Sequence, residues 1–131
     1  MSVRLSLTAL PGEFAVCTLP RAVKIPDWIP DERFSSITRT GDELSIICPA
    51  EAVPQDVRCE KGWRCLKLDG PFELNAIGIL LSVIQPLAEA GVSVLALGTF
   101  ETDHVLINES KWINAIEVLR SSGHVVSGVT D

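Results

Sequence analysis

The sequence predicts an α+β protein built of two successive ferredoxin-like βαββαβ units, with antiparallel sheets and helices on one face. Three observations carry that expectation. From Trp63 to Val126 the chain reads strand, helix, strand, strand, helix, strand, the order of a split βαβ unit. The first half repeats the strand order but leaves room only for single helical turns. Two hairpin segments, SITRTGDELSIICPAE (36–51) and LGTFETDHVLINES (97–110), echo one another. That spacing implies a weak internal repeat of about 60 residues. The expected units are residues 1–60, a reduced N-terminal copy, and residues 61–131, a complete one.

In the first half, Val3, Leu5, Leu7 and Ala9 alternate with polar residues, as in a half-buried strand. Pro11-Gly12 turns the chain into a second strand, Phe14 to Leu19. Pro20, Pro26 and Pro30 forbid a long helix and allow one turn near Pro26. Phe34–Thr40 and Glu43–Cys48, joined by Gly41-Asp42, form a hairpin. At most a short helix fits residues 49–56. Val57 to Asp69 is strand-like, with a break near Gly62.

In the second half, Leu74, Ile77, Leu81, Ile84 and Ala88 recur at spacings of three and four, which predicts a helix over 74–90. A second apolar flank, Ile79, Leu80, Val83 and Leu87, calls for cover on more than one side. Pro86 removes one backbone bond, to Ser82, and should kink the helix. Gly91 stops it. Val92–Phe100 and His104–Asn108 are strands. Asn108 or Ser110 caps a last helix, 111–121, with Trp112, Ile116 and Leu119 on one face, and Gly123 ends it. His124 to Val126 is the closing strand.

Composition narrows function. The 131 residues are 47% apolar and 21% charged, enough for a core without metal or disulfide staples. Seventeen acidic against 11 basic residues give a net charge of −6, which argues against nucleic acid and against anionic membrane surfaces. Five per cent aromatic content and no Tyr exclude an RNA-stacking sheet. No apolar stretch approaches the ~20 residues of a membrane span, and the N-terminus has no signal-peptide pattern, so a cytoplasmic protein is expected. Cys17, Cys48, Cys59 and Cys65 form no paired zinc motif and read as buried free thiols. A disulfide between Cys59 and Cys65 across a turn at Gly62 does not suit a cytosolic chain. No Ser or Cys sits in a nucleophile elbow. No Arg stands in the first loop to grip phosphate, and His104 and Asp103 face opposite sides of a strand. The chain is therefore expected not to be an enzyme and to need no cofactor and no metal.

Two loops could hold a ligand. The first is Asp69-Gly70-Pro71-Phe72-Glu73-Leu74, between strand and helix. Gly70 permits close approach, Pro71 suits a first helical position, and the amides of Phe72, Glu73 and Leu74 would open the helix. Such amides take a carboxylate or phosphate, and the lack of a basic side chain favours carboxylate. The second is the hairpin turn Gly98-Thr99-Phe100-Glu101-Thr102-Asp103, which offers Thr hydroxyls, carboxylates and an aromatic ring, with Thr99, Phe100 and Asp103 as its candidate contacts. Taken singly, the first reads rather as a turn and cap, and the second as a polar hairpin turn. Together, amides for a carboxylate and Glu73 and Asp103 for an ammonium would make a zwitterion site.

At these residues the chain resembles the small bacterial proteins with two ACT-type units, related to the CASTOR amino-acid sensors. The matching stretches are TRTGDELSIICP (38–49), GWRCLKLDGPFEL (62–74), GILLSVIQPLAEAGVSVLALGTFETDHVLI (78–107) and SSGHVV (121–126). The resemblance implies ACT-like ferredoxin folds and a small-molecule ligand, an amino acid, bound where two ACT units meet. Its contacts would come from Gly70, Glu73 and Leu74 before the helix and Thr99, Phe100 and Asp103 on the turn. It also implies pairing of ACT units, within the chain or in a homodimer. The larger sensors have four units and this chain has two. The competing expectation is a protein-interaction or structural module that has kept no ligand.

Overall fold

A computed structural model describes residues 3–129. By contacts the chain divides into two compact units, Gly12–Trp63 and Met1–Pro11 with Arg64–Asp131.

The unit of residues 12–63 is an antiparallel sheet. With β1 (Ser6–Ala9) belonging to the other unit, its strands are β2 (Phe14–Leu19), β3 (Ser36–Arg39), β4 (Leu44–Pro49) and the first half of β5 (Arg58–Leu68). They lie in the order β3-β4-β2-β5, the ferredoxin-like order with loops where helices would be. The Pro-rich segment has no helix, and a turn at Asp27-Trp28 stands where the single turn near Pro26 is expected. Only a 3-10 turn, Ala50–Ala52, follows β4. One sheet face buries Ala15, Cys17, Leu44, Ile46 and Cys48, and Trp28 and Ile29 pack on them.

The break expected at Gly62 is a bulge instead. β5 runs through it, with Gly62 at φ +87° and a register shift against Phe14 and Val16. Glu13 Oε2 accepts the Gly62 N–H at 2.7 Å. Cys59 and Cys65 therefore lie along one strand and flank no hairpin. The boundary expected near residue 60 also falls inside this strand.

The other unit contains β1 (Ser6–Ala9), the rest of β5, α1 (Ile79–Glu89), β6 (Val94–Gly98), β7 (Asp103–Asn108), α2 (Trp112–Ser121) and β8 (Val125–Ser127). Its strand order is β6-β7-β5-β1-β8. This is again the ferredoxin-like order, with β1 inserted, antiparallel to β5 and parallel to β8. β1, expected in the first unit, thus completes the second. Both helices pack on one face, where Val83, Leu87, Ala115 and Leu119 meet Leu66, Leu68, Val105 and Ile107.

The internal echo extends to hydrogen bonds. At one hairpin turn Thr40 N–H donates to Glu43 O (2.9 Å), and Glu43 N–H returns to Thr40 Oγ1 (3.2 Å). At the other, Thr99 N–H donates to Thr102 O (2.8 Å), and Thr102 N–H returns to Thr99 Oγ1 (3.3 Å). A threonine hydroxyl closes both turns in the same way. Asn108 Oδ1 accepts the Ser110 N–H at 3.0 Å and so caps the 3-10 turn Glu109–Lys111 that leads into α2, while α2 itself starts without the side-chain cap that the sequence predicts.

Candidate functional site

The predicted helix over 74–90 begins five residues late, at Ile79. Leu74 and Ile77 continue the apolar spacing but are 73% and 94% exposed, so the pattern outruns the helix. Gly78, at φ +81°, is the residue that turns the chain into α1. Pro71 accordingly lies in a loop, after a cis Gly70–Pro71 peptide, and not at a first helical position.

The amides expected to open the helix at Phe72, Glu73 and Leu74 are therefore loop amides. That of Phe72 is occupied, donating to Glu101 O at 2.8 Å. The true first turn is Ile79-Leu80-Leu81. Helix geometry leaves those N–H groups without intrahelical acceptors, and no side chain caps them.

The two loops do converge. Segments 72–81 and 99–103 line one open cavity of about 180 Å³. Of the residues singled out in the sequence, Phe72, Glu73, Leu74, Thr99, Phe100 and Asp103 line it. Asp69 and Gly70 do not. Asp69 Oδ1 accepts from Thr8 Oγ1 at 2.7 Å, and Asp69 N–H donates to Ser6 O, which fix the end of β5. Gly70 lies so close to the turn that an added Cβ would stand 3.0 Å from Phe72 N and 3.1 Å from Glu101 O. Both residues hold the loop rather than line the cavity.

Thr102 belongs to the candidate turn but not to its expected ligand contacts, and it seats the turn. Buried, it donates from Oγ1 to Leu68 O at 2.6 Å. With the Phe72–Glu101 bond, this ties the hairpin tip to the strand end that precedes the loop. Thr99 Oγ1 is used within the turn, donating to Thr102 O at 3.0 Å. At the strand end, Asp103 pairs with Gly98, where an added Cβ would come within 3.1 Å of Asp103 Oδ1.

The lining carries three carboxylates, Glu73, Glu101 and Asp103, and no Lys, Arg or His. The helix first turn supplies donors with a positive end of the dipole. Exposed Leu74, Leu81 and Phe100 add apolar surface. Chemically this suits a small solute with a carboxylate at one end and a cationic group at the other. His104, next to Asp103, is buried, and burial foremost, with Lys67, lowers its pKa from 6.5 despite Asp103. It is packed, as its strand position implies, and does not line the cavity. Among the described residues no group of three or more His, Cys, Asp or Glu side chains is arranged to hold a metal. Among those residues, too, no helix is long and apolar enough to cross a membrane.

The ACT domain family matches residues 58–121, and an N-terminal domain family matches residues 12–56. A crystal structure of protein Atu0741 from Agrobacterium tumefaciens is 38% identical, with a TM-score of 0.92 over 99% of this chain and 97% of that one. The chain is an ACT-domain protein. It is related to the human cytosolic arginine sensor for mTORC1 subunit 1, 32% identical over 85 residues. Those residues are 59% of this chain and 26% of the sensor, so the ACT-domain protein spans about a quarter of the curated relatives it matches. Clostridium acetobutylicum aspartate kinase shares the fold, with a TM-score of 0.66 and 9% identity over 88% of this chain and 34% of that one.

Proposed function

We propose that the ACT-domain protein is a non-catalytic regulatory module that binds a small amino acid-like zwitterion in the cavity between segments 72–81 and 99–103. The single observation carrying this reading is the convergence of α1's uncapped first turn with Glu73, Glu101 and Asp103 around one cavity. Similarity to an arginine sensor supports an amino acid as the ligand class. The α-carboxylate is held by the amides of Ile79–Leu81, and the ammonium by Glu73 and Asp103. Asp69 and Gly70 contribute by holding the loop, outside the ligand's reach.

A thermal-shift screen of the amino acids tests this. A ligand at about 100 times its Kd adds about 2.7 kcal/mol of stability, a readable rise in Tm. Glu73→Ala and Asp103→Ala each weaken that ligand about tenfold or more, as loss of a charged hydrogen bond implies, while the melting temperature without ligand stays close to wild type. Calorimetry showing unchanged affinity in both variants overturns the assignment.

One observation favours a second reading, a protein-interaction module with no ligand. Leu74, Ile77, Leu81 and Phe100 make an exposed apolar rim beside the cavity. A second copy of the chain, pairing ACT units in a homodimer, covers that rim. If no amino acid shifts Tm while light scattering reports a dimer, this second reading replaces the first.

A further inference from the structure

A cluster of thiols lies apart from the cavity, in the unit of residues 12–63. Cys17 on β2 and Cys59 on β5 are direct partners in an antiparallel pair. Cys48 on β4 stands opposite Ala15, which puts it on the same sheet face as Cys17. All three pack into one apolar cluster, Cys17 and Cys48 within it and Cys59 against it. All are free thiols; Cys17 and Cys48 are buried and Cys59 is half-buried.

Geometry separates the pairs. Directly opposed residues of an antiparallel pair have Cα atoms about 4.5–5.5 Å apart. That falls within the range of about 4.4–6.8 Å found across disulfides. Cys17 and Cys48 are diagonal neighbours, about 7–8 Å apart, beyond that range. Cys65 lies further along β5, outside the cluster.

We propose that Cys17 and Cys59 form a reversible oxidation site, closed to an intramolecular disulfide by a low-molecular-weight disulfide such as oxidised glutathione. Cys59 is the accessible thiol and reacts first. Its thiolate attacks one glutathione sulfur, the S–S bond breaks, and one glutathione leaves as thiolate. The Cys17 thiolate then attacks the Cys59 sulfur and displaces the second glutathione. Two protein thiols are oxidised and one glutathione disulfide is reduced. The two protons given up by the cysteines end on the two released glutathiones. Burial foremost, with the neighbouring thiols, pushes the Cys17 pKa up to about 12, so the second step is slow at neutral pH and speeds up as pH rises. The product joins β2 to β5.

The full-length protein is incubated, folded, with oxidised glutathione, then unfolded, alkylated and mapped by peptide mass spectrometry. The expected product is lighter by two hydrogens, contains a Cys17–Cys59 linked peptide, and carries alkylated Cys48 and Cys65. Cys65→Ser closes the same bridge, and Cys17→Ser stops at a glutathione adduct on Cys59. The wild-type peptide map reads the bond directly, so it decides even if Cys17→Ser does not fold. A lasting Cys59 adduct in the wild type, a bridge to Cys48 or Cys65, or a bridge formed only in denaturant overturns the proposal.

Discussion

At the residue scale, the cavity depends on the Thr102 hydroxyl, whose partner no sequence pattern identifies. Glu73 and Asp103 were legible, because acidic residues in loops flanking a helix and a hairpin suggest charge recognition by type alone. Thr102 was not, because its partner, Leu68 O, is 34 residues away and leaves no local pattern. Thr102→Val keeps the shape and removes the donor. The Leu68 carbonyl then loses its buried partner, at a cost of about 1–3 kcal/mol, read as a lower urea midpoint. The turn also loosens, so affinity for the ligand found in the screen falls along with stability. A variant with wild-type midpoint and affinity shows that Thr102 does not seat the turn.

At the element scale, strands were read more closely than the start of α1. Phe14–Leu19 was placed at its observed bounds, since alternation and flanking turns agree there. The helix start failed for a physical reason: apolar spacing does not distinguish core residues from the exposed Leu74 and Ile77. Gly78, the residue in that stretch best suited to a left-handed turn, is the available signal. The effect of Pro86 was legible, but its remedy was not. Proline leaves the Ser82 carbonyl without its usual helical donor. His124 Nε2 lies 2.8 Å from that carbonyl, while His124 Nδ1 accepts the Leu5 N–H at 3.0 Å. The accepting Nδ1 puts the proton on Nε2, which donates to Ser82 O. His124→Ala therefore strands a buried N–H and a part-buried carbonyl, at up to about 1–3 kcal/mol each. In a Pro86→Ala background the restored N–H serves Ser82, so the same histidine substitution costs about 1 kcal/mol less. Urea unfolding of the four proteins measures that coupling; additive losses refute the link between Pro86 and His124.

At the scale of the whole molecule, the repeat was visible because each hairpin keeps its Thr-closed turn, whereas the place of β1 was hidden. Alternating residues identify a strand but not its neighbours, and β1 pairs with β5 and β8 across more than 50 intervening residues. Stability of the assembled fold should then carry a pH signature from His104. Its folded pKa lies below 6.5, through burial first and Lys67 second, with Asp103 opposing. The unfolded chain thus binds this proton more tightly than the folded one. Above about pH 6.5 the imidazole is neutral in both states and its contribution to stability is intact. As pH falls through 6.5 toward the folded pKa, the unfolded state takes up the proton first, and stability declines. Below the folded value both states are protonated and the contribution is gone. Urea midpoints of wild type and His104→Asn, compared between about pH 7.5 and 5, isolate this term from the carboxylates. The wild type should lose more stability than the variant on acidification. Parallel declines would mean that burial does not hold His104 neutral.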